Sequence, residues 1–402
     1  MRIAFITYEF PPDTGKGGIG TYTAQTAAML VNAGADVHVF AGSFMHHETS
    51  TEQGINIHRV KCSGPTEFAN VVLPVFMVQQ QMQAFDLIEC PEIHGNAREI
   101  KKSFPQMPLV VRLHAPNWLV ENLKKRYIPF LAKLRFVVGA LRRGKIDAGY
   151  WSSYDAGNDP DREFTLLAEA VTAPSQVMKD WAVREWKLPG QNIKVIPNPF
   201  TPSSALLALP ILSKTANSEI VFFGRLNVLK GLVNATHAMK KILKTYSHST
   251  FKVIGDDGPG PKHGTGMRQW MKQELKEVIE RVTFIDGVSY EFLPAAIADA
   301  GIVLLPSLFE SFSYTCAEAM AAGKAVVGSK GTAMADMITD KKSGMLVDAN
   351  NVSDIYNSLK QLIDDDGMRY RIAMNARERI THLYDGHKLA AIYLDHYKTV
   401  AG

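Results

Sequence analysis

The stretch PSLFESFSYTCAEAMAAGKAVVGS, residues 306–329, decides the fold of this chain. The apolar run at 301–307 leads into it and predicts a buried parallel strand, and AVVGS at 325–329 predicts the next strand. Between the two strands we predict a helix that begins near Ser313 and ends at a turn at 322–323. A strand, a helix and a second strand in this order predict one unit of a parallel α/β sheet.

Two carboxylates flank the start of this helix, because Glu310 lies in the preceding loop and Glu318 in the first turns. In an open α/β sheet, ligands bind beyond the carboxyl ends of the strands, where helix N-termini point. The helix end can bind phosphate while the carboxylates accept hydrogen bonds from hydroxyl groups. The stretch therefore predicts a site for a phosphorylated, polyhydroxylated ligand. The alternative is purely structural, because Thr315 and Glu318 also fit a capping box.

The length and composition predict a globular protein of two domains. At 402 residues the chain exceeds one ordinary domain, and 46% hydrophobic and 21% charged residues exclude a disordered or fibrous protein. The cysteines Cys62, Cys90 and Cys316 are isolated in sequence, which is typical of a reducing compartment. No signal peptide and no apolar run of ~20 residues is visible, so we expect a cytoplasmic protein. The net charge is only +4, and we expect no nucleic-acid partner.

Strand-like and helix-like segments alternate along the whole chain. The predicted strands are residues 2–8, 36–42, 55–60, 86–90, 109–114 and 171–175, followed by 219–225, 250–255, 282–286, 301–307, 325–329 and 344–348. The alternation predicts an α/β protein with two doubly wound, Rossmann-like parallel-sheet domains. Pro and Ser cluster near 196–210, so we place the domains at 1–200 and 201–402. We expect the final helix, about 380–402, to pack back on the N-terminal domain.

A basic and apolar stretch lies at residues 122–146. It contains eight Lys and Arg residues, no acidic residue, and interleaved aromatic and aliphatic side chains. Such a segment can lie on an anionic membrane or face an anionic acceptor. It can equally be a pair of surface helices whose long side chains cover apolar contacts. The sequence leaves both interpretations open.

Several residues at the predicted carboxyl edges of the first domain are candidates for ligand contacts. Gly18 belongs to a glycine-rich loop before a helix, where backbone N–H groups can approach a ligand closely. His114 ends a strand and can bond to a ligand hydroxyl. Glu89 and Glu92 end the preceding strand and could face an acceptor. For each of these residues a local structural role is the alternative.

The second domain opens with a strand that leads into GRLNVLKG, residues 224–231. Arg225 and Lys230 place two cations at the carboxyl edge of that strand. A diphosphate gains negative charge as its bond to a sugar breaks, and fixed cations stabilise that charge. The segment therefore predicts a diphosphate site, with a solvated pair of surface cations as the alternative.

Taken together, these motifs resemble the retaining glycosyltransferases of family 4. The matching motifs are E-x7-E at 310–318, GR-x4-KG at 224–231, GGIGTYT at 17–23, TAPSQVM at 172–178 and VIPNP at 195–199. They span nearly the whole chain in the family's order. The resemblance implies the GT-B fold, in which two Rossmann-like domains face a central cleft.

The resemblance also implies roles for single residues. Glu318 looks like the carboxylate that binds both ribose hydroxyls of a nucleotide, and Glu310 like the one that binds the transferred sugar. Arg225 and Lys230 match the diphosphate clamp, and His114 matches a histidine near the primary hydroxyl of the sugar. The implied donor site also includes Gly18, Gly224, Val288, Phe312, Ser313, Tyr314 and Thr315. The predicted catalytic residues are Glu310, Arg225, Lys230 and His114, and the predicted acceptor contacts are Glu92 and His114.

The implied reaction transfers a hexose-type sugar, with retained anomeric configuration, from a nucleotide-diphosphate sugar to a hydroxyl of a saccharide or glycolipid. UDP-sugars are favoured as donors, GDP-sugars come next, and glycan or cell-surface polysaccharide synthesis is the expected context. We expect neither a metal nor a cofactor, since Asp159 and Asp161 fit a helix N-terminus around Pro160. Ser313 replaces a frequent glycine and would narrow the sugar pocket. Two other classes stay open: a UDP-sugar epimerase of the same fold, and a non-catalytic protein that binds nucleotide sugars.

Overall fold

The computed structural model describes residues 1–15, 17–125, 130–144, 154–211, 219–262 and 264–402. The chain divides into two compact units. Unit 1 comprises Met1–Asn117, Asp155–Thr201 and Tyr384–Gly402, and unit 2 comprises Trp118–Tyr154 and Pro202–Leu383.

Unit 1 contains an eight-stranded sheet in the order β3-β4-β2-β1-β5-β6-β7-β8. Its strands are β1 (Arg2–Thr7), β2 (Asp36–Ser43), β3 (Glu48–Glu52), β4 (Ile55–Lys61), β5 (Leu87–Pro91), β6 (Leu109–Arg112), β7 (Ala170–Ala173) and β8 (Ile193–Val195). Neighbouring strands are parallel except β3 and β4, which are antiparallel. Its helices are α1 (Gly18–Asn32), α2 (Pro65–Met82), α3 (Arg98–Ser103), α6 (Pro160–Thr165), α7 (Gln176–Glu185) and α16 (Gly386–Ala401), and α4 (Asn117–Lys125) begins at its boundary.

Unit 2 contains a six-stranded, fully parallel sheet in the order β11-β10-β9-β12-β13-β14. Its strands are β9 (Glu219–Phe223), β10 (Thr250–Ile254), β11 (Val282–Ile285), β12 (Ile302–Leu305), β13 (Ala325–Ser329) and β14 (Met345–Val347). Its helices are α5 (Phe130–Arg142), α8 (Ser204–Leu207), α9 (Leu232–Thr245), α10 (Met267–Glu274), α11 (Leu293–Ala296), α12 (Tyr314–Ala321), α13 (Met334–Met337), α14 (Val352–Asp364) and α15 (Asp366–Leu383).

The α/β architecture with two parallel sheets is confirmed. Each predicted strand has a counterpart, usually shorter by one to three residues. The sequence did not predict β3, whose residues ETSTE are polar and almost all exposed and therefore show no apolar alternation. It also did not predict β8, which has only three residues.

The segment around α12 folds as its sequence predicts. β12 and β13 are completely buried and pair with each other, so their apolar runs form the centre of the unit 2 core. Ser313 is the N-cap of α12, and Gly323 has a φ of 64° just after the helix ends. Because the six strands are parallel, their carboxyl ends lie along one edge of the sheet, and α12 begins at that edge.

The final helix, α16, contributes to the core of unit 1. Tyr393 and Tyr397 are 0% exposed and pack in one cluster with strand residues such as Ile3 and Val39. The Tyr393 hydroxyl donates to the carbonyl of Pro197 at 3.1 Å.

The basic stretch at 122–146 is only partly covered by the structure. Residues 126–129 and 145–146 lie outside the described residues, and α4 and α5 account for most of the rest. Within the described part of the chain, no helix combines the length and apolar character that crossing a bilayer requires.

Candidate active site

The predicted sugar and diphosphate residues meet at the carboxyl edge of unit 2. Lys230 Nζ lies 2.6 Å from Oε1 of Glu310, with side-chain exposures of 27% and 12%. The Ser307 hydroxyl donates to the same oxygen at 2.8 Å. Among the described residues no donor reaches Oε2 of Glu310, so this oxygen can accept a bond from a ligand hydroxyl.

A glycine brings the Lys230 turn against the end of β12. Gly231 has a φ of 69°, and a Cβ at this position would lie 1.7 Å from the carbonyl oxygen of Pro306. The backbone N–H of Leu308 donates to the carbonyl of Leu229 at 2.8 Å, which ties the two segments together. Only glycine can occupy such a position, because it combines a left-handed conformation with direct backbone packing.

The start of α12 lies beside the end of β9. The Ser313 hydroxyl accepts a hydrogen bond from the N–H of Cys316 at 3.3 Å and is 2% exposed as a residue. Thr315 approaches Gly224, whose added Cβ would lie 3.8 Å from the Thr315 methyl. Phe312 is buried and its ring meets that of Tyr314 edge-on, with centroids 4.9 Å apart. The predicted donor-site residues of both motifs are thus neighbours in space.

This arrangement corrects the capping-box interpretation of Thr315 and Glu318. The N-cap is Ser313, two residues earlier, so Glu318 is five residues into the helix and not at the third position that a capping box requires. The Ser313 side chain is used as the cap and is buried, which gives a structural role to the residue that was expected to narrow the sugar pocket.

The Glu318 carboxylate is partly buried and has no hydrogen-bond donor within the described residues. Burial raises its pKa to about 7. Burial also raises the pKa of Tyr290, and the charge of Glu318 raises it further, so the two side chains are close. Tyr290 follows Val288 in the loop after β11, and its hydroxyl accepts from the N–H of Ser203 at 3.2 Å. A partly buried carboxylate with a raised pKa and no protein partner is typical of a ligand site.

Arg225 follows Gly224 at the end of β9 and is exposed. In the described ranges its guanidinium has neither an ion-pair nor a hydrogen-bond partner. It therefore stands at the same sheet edge as Lys230 with its donors available to an anion.

The remaining predicted residues lie in unit 1. Gly18 begins α1, and a Cβ added there would meet nothing within 4 Å, so its backbone is open to an approaching group. His114 follows β6 and is 6% exposed, with its ring edge-on to Tyr22 at 5.1 Å. Burial, helped by the Arg112 charge, lowers the pKa of His114 to about 3, which keeps the imidazole neutral.

Glu92 is 0% exposed and accepts from the N–H of His114 at 2.9 Å. Its Oε2 is buried with no partner in the described structure, and burial raises the pKa of the carboxyl to about 8. Glu89 is also buried and accepts from Tyr22 at 2.6 Å and from Tyr397. In this structure neither carboxylate faces solvent, and Glu92 fixes the backbone beside His114.

Asp159 and Asp161 play the structural role that the sequence predicted. Asp159 caps α6 by accepting from the N–H groups of Asp161 and Arg162. Among the described residues, no group of three or more His, Cys, Asp or Glu side chains could hold a metal ion.

In each unit, sequence reasoning missed residues that lie beside the predicted ones. Ser307 supports Glu310, Tyr290 lies by Glu318, and Tyr22 packs on His114. The only available signal for Ser307 was its place at the end of an apolar strand. For Tyr290 and Tyr22, proximity arises from the tertiary fold and leaves no pattern in the local sequence.

Two family models match the chain. The model described as Glycosyltransferase Family 4 matches residues 16–203, and the model described as Glycosyl transferases group 1 matches residues 210–379. The D-inositol 3-phosphate glycosyltransferase of Corynebacterium diphtheriae is 24% identical over 98% of this chain and 95% of its own.

Solved structures share the fold at lower identity. Sucrose-phosphate synthase from Thermosynechococcus elongatus aligns with a TM-score of 0.74 at 18% identity and covers 99% of this chain and 98% of its own. Anabaena HepE, solved in complex with UDP and glucose, aligns with a TM-score of 0.64 at 19% identity and covers 99% of this chain and all of its own. The chain belongs to the glycosyltransferases of the family 4 type, with the GT-B fold.

Proposed function

We propose that this glycosyltransferase moves a hexose-type sugar from a nucleotide-diphosphate sugar to a hydroxyl of a saccharide or glycolipid, with retention of the anomeric configuration and without a metal ion. The observation that carries the proposal is the pairing of Lys230 with Glu310 at the start of α12. It puts a cation suited to a diphosphate beside a carboxylate suited to sugar hydroxyls.

UDP is the favoured nucleotide and GDP the next. HepE, which shares the fold, binds UDP and glucose, and this supports a UDP-sugar donor here. Glu318 would accept hydrogen bonds from the ribose hydroxyls, while the loop around Val288 would contact the base. The backbone N–H groups at the start of α12 and the Arg225 guanidinium would bind the diphosphate.

The reaction breaks the bond between the anomeric carbon and the diphosphate oxygen and forms one from that carbon to the acceptor oxygen. Lys230 and Arg225 stabilise the negative charge that develops on the diphosphate. The acceptor's hydroxyl proton moves to a diphosphate oxygen on the attacked face, so the products are a glycoside and a nucleoside diphosphate. Glu310 holds the sugar.

The acceptor belongs with unit 1, near His114, and the buried Glu92 positions His114 by accepting from its backbone N–H. It is a saccharide or a lipid-linked saccharide, in glycan or cell-surface polysaccharide synthesis. The same proposal includes a cytoplasmic location and peripheral contact with a membrane through residues 122–146.

A two-step experiment tests this function. A thermal-shift panel of UDP-, GDP- and ADP-sugars should give the largest stabilisation with a UDP-sugar, because a ligand that binds only the folded state raises the melting temperature. The preferred donor is then incubated with an acceptor pool in EDTA, and the product anomer is assigned by NMR. Retained configuration and activity in EDTA support the proposal, whereas an inverted product or dependence on a metal contradicts it. Isomerised donor in the absence of acceptor would instead identify an epimerase.

A further inference from the structure

Helix α5 presents a stripe of large apolar side chains to solvent. Phe130, Leu134, Val138 and Leu141 are 68%, 44%, 39% and 57% exposed. At 3.6 residues per turn these four positions fall within roughly a quarter of the helix circumference. The helix is therefore amphipathic, but its apolar face is the exposed one.

An ordinary surface helix of this protein does the opposite. In α14, the apolar residues Ile355, Leu359 and Leu362 form a similar stripe and are each 0% exposed. The α5 stripe is thus exposed where the α14 stripe is buried, and contiguous apolar surface of this kind marks an interaction site.

Cations border the stripe. Lys133 lies on one flank of α5 and Arg135 and Arg142 on the other, as the helical spacing requires. The described segment 130–144 carries no acidic residue. An apolar stripe between two rows of Lys and Arg matches the surface of an anionic bilayer, where acyl chains lie beneath negative headgroups.

We propose that α5 docks this enzyme in the plane of an anionic lipid bilayer, with the apolar stripe below the headgroups and the flanking cations among them. At 13 residues the helix is too short to cross a bilayer and suits an interfacial position. This docking deepens the proposed function and rests on it, because a lipid-linked acceptor would lie at the membrane surface where α5 binds.

Vesicle co-sedimentation of the full chain tests the docking. Vesicles of phosphatidylcholine alone are compared with vesicles containing 30% phosphatidylglycerol, in low and high salt. The stripe variant is L134Q/L141Q. Its matched control is L166Q/L167Q, which changes two leucines that are 52% and 40% exposed in unit 1. A charge variant, K133Q/R135Q/R142Q, removes the flanking cations.

The wild type and L166Q/L167Q should bind the anionic vesicles, more weakly in high salt. L134Q/L141Q should lose most binding, and each removed cation should lower the partition coefficient about fivefold. Two results with vesicles would overturn the docking: no binding by the wild type, or equal binding by the wild type and L134Q/L141Q. The docking would also be overturned if light scattering showed that L134Q/L141Q changes the oligomeric state of the protein while its vesicle binding stays unchanged.

UDP-sugar binding is measured by calorimetry on the same samples. L134Q/L141Q should bind the donor like the wild type, since α5 carries none of the proposed donor contacts. Loss of vesicle binding by L134Q/L141Q with normal donor binding supports the docking. Normal donor binding with no vesicle binding by the wild type refutes both the docking and the membrane contact through residues 122–146, while the proposed sugar transfer stands.

Discussion

The ammonium of Lys230 lies 2.6 Å from Oε1 of Glu310, a contact between residues 80 positions apart in sequence. The pair forms because β9 and β12 are neighbours in a parallel sheet, so the loops that follow them meet at one edge. In the absence of ligand each side chain neutralises the other. When a diphosphate sugar binds, the phosphate can share Lys230 and the sugar hydroxyls can bond to Glu310.

The first prediction concerns this pair. Lys230→Met should lower kcat by roughly 10²–10³, because a fixed cation no longer faces the leaving diphosphate. Lys252→Met is the matched control, since Lys252 makes a similar ion pair with Glu219 at 2.9 Å but at the start of β9. Steady-state kinetics should show nearly unchanged kcat for the control. Equal losses in both variants would mean that the effect of Lys230 is structural.

The second prediction concerns the turn that positions Lys230. Gly231→Ala should destabilise the fold by about 4 kcal/mol, since it adds left-handed strain to a clash with the backbone of Pro306. Gly331→Ala has a similar φ of 79° but no atom within 4 Å of the added Cβ, so only about 1 kcal/mol of strain is expected. Urea denaturation measures both free energies of unfolding. Similar values for the two variants would contradict the role given to backbone packing.

The sequence predicted residues that follow apolar strands, but it did not predict contacts that only the tertiary fold creates. Glu310 and Lys230 could be placed at one sheet edge because each follows an apolar strand. The helix start near Ser313 is confirmed, whereas the alternative capping box of Thr315 and Glu318 is wrong, because Ser313 and Thr315 both fit helix starts by composition and only the backbone distinguishes them. The bond from Tyr397 to Glu89 joins residues 308 positions apart and has no local signature.

The third prediction concerns pH and stability. Burial raises the pKa of Glu92 to about 8 in the folded state, well above its usual value. The folded protein therefore holds a proton that the unfolded chain releases, and stability falls as the pH rises towards 8. Between pH 6.5 and 8 the slope from this group is at most about 1.4 kcal/mol per pH unit.

Glu92→Gln should flatten the pH dependence of the unfolding free energy between pH 6.5 and 8. The amide oxygen can still accept from the N–H of His114, so the fold should persist. Burial also lowers the pKa of His58 to about 4, and this group acts in the opposite direction below pH 6.5, where the unfolded chain binds the extra proton. An unchanged slope above pH 6.5 in Glu92→Gln would show that Glu92 is ionised in the folded protein.

The fourth prediction concerns the final helix. Tyr397→Phe leaves one oxygen of the buried Glu89 carboxylate without its donor and should destabilise the protein by about 1–3 kcal/mol. Tyr356→Phe removes a hydroxyl that makes only a 3.5 Å contact with Thr245 and should have little effect. Thermal and urea unfolding compare the two. A negligible loss for Tyr397→Phe would mean that Glu89 is satisfied in another way.

In the proposed donor site, Glu318 binds the ribose hydroxyls of a nucleotide sugar. Burial gives its carboxyl a pKa of about 7, and hydrogen bonds from two hydroxyls would favour the ionised form. Donor binding near pH 7 should therefore release protons. Glu318→Gln should weaken binding by about tenfold or more, while Glu274→Gln, at a surface position of α10, should bind normally.

Isothermal titration calorimetry of UDP-glucose, repeated in buffers of different ionisation enthalpy, measures affinity and proton release together. The expected result is proton release by the wild type and by Glu274→Gln, and none by Glu318→Gln, together with its weaker binding. Wild-type affinity and unchanged proton release in Glu318→Gln would contradict the assignment of this carboxylate to the donor.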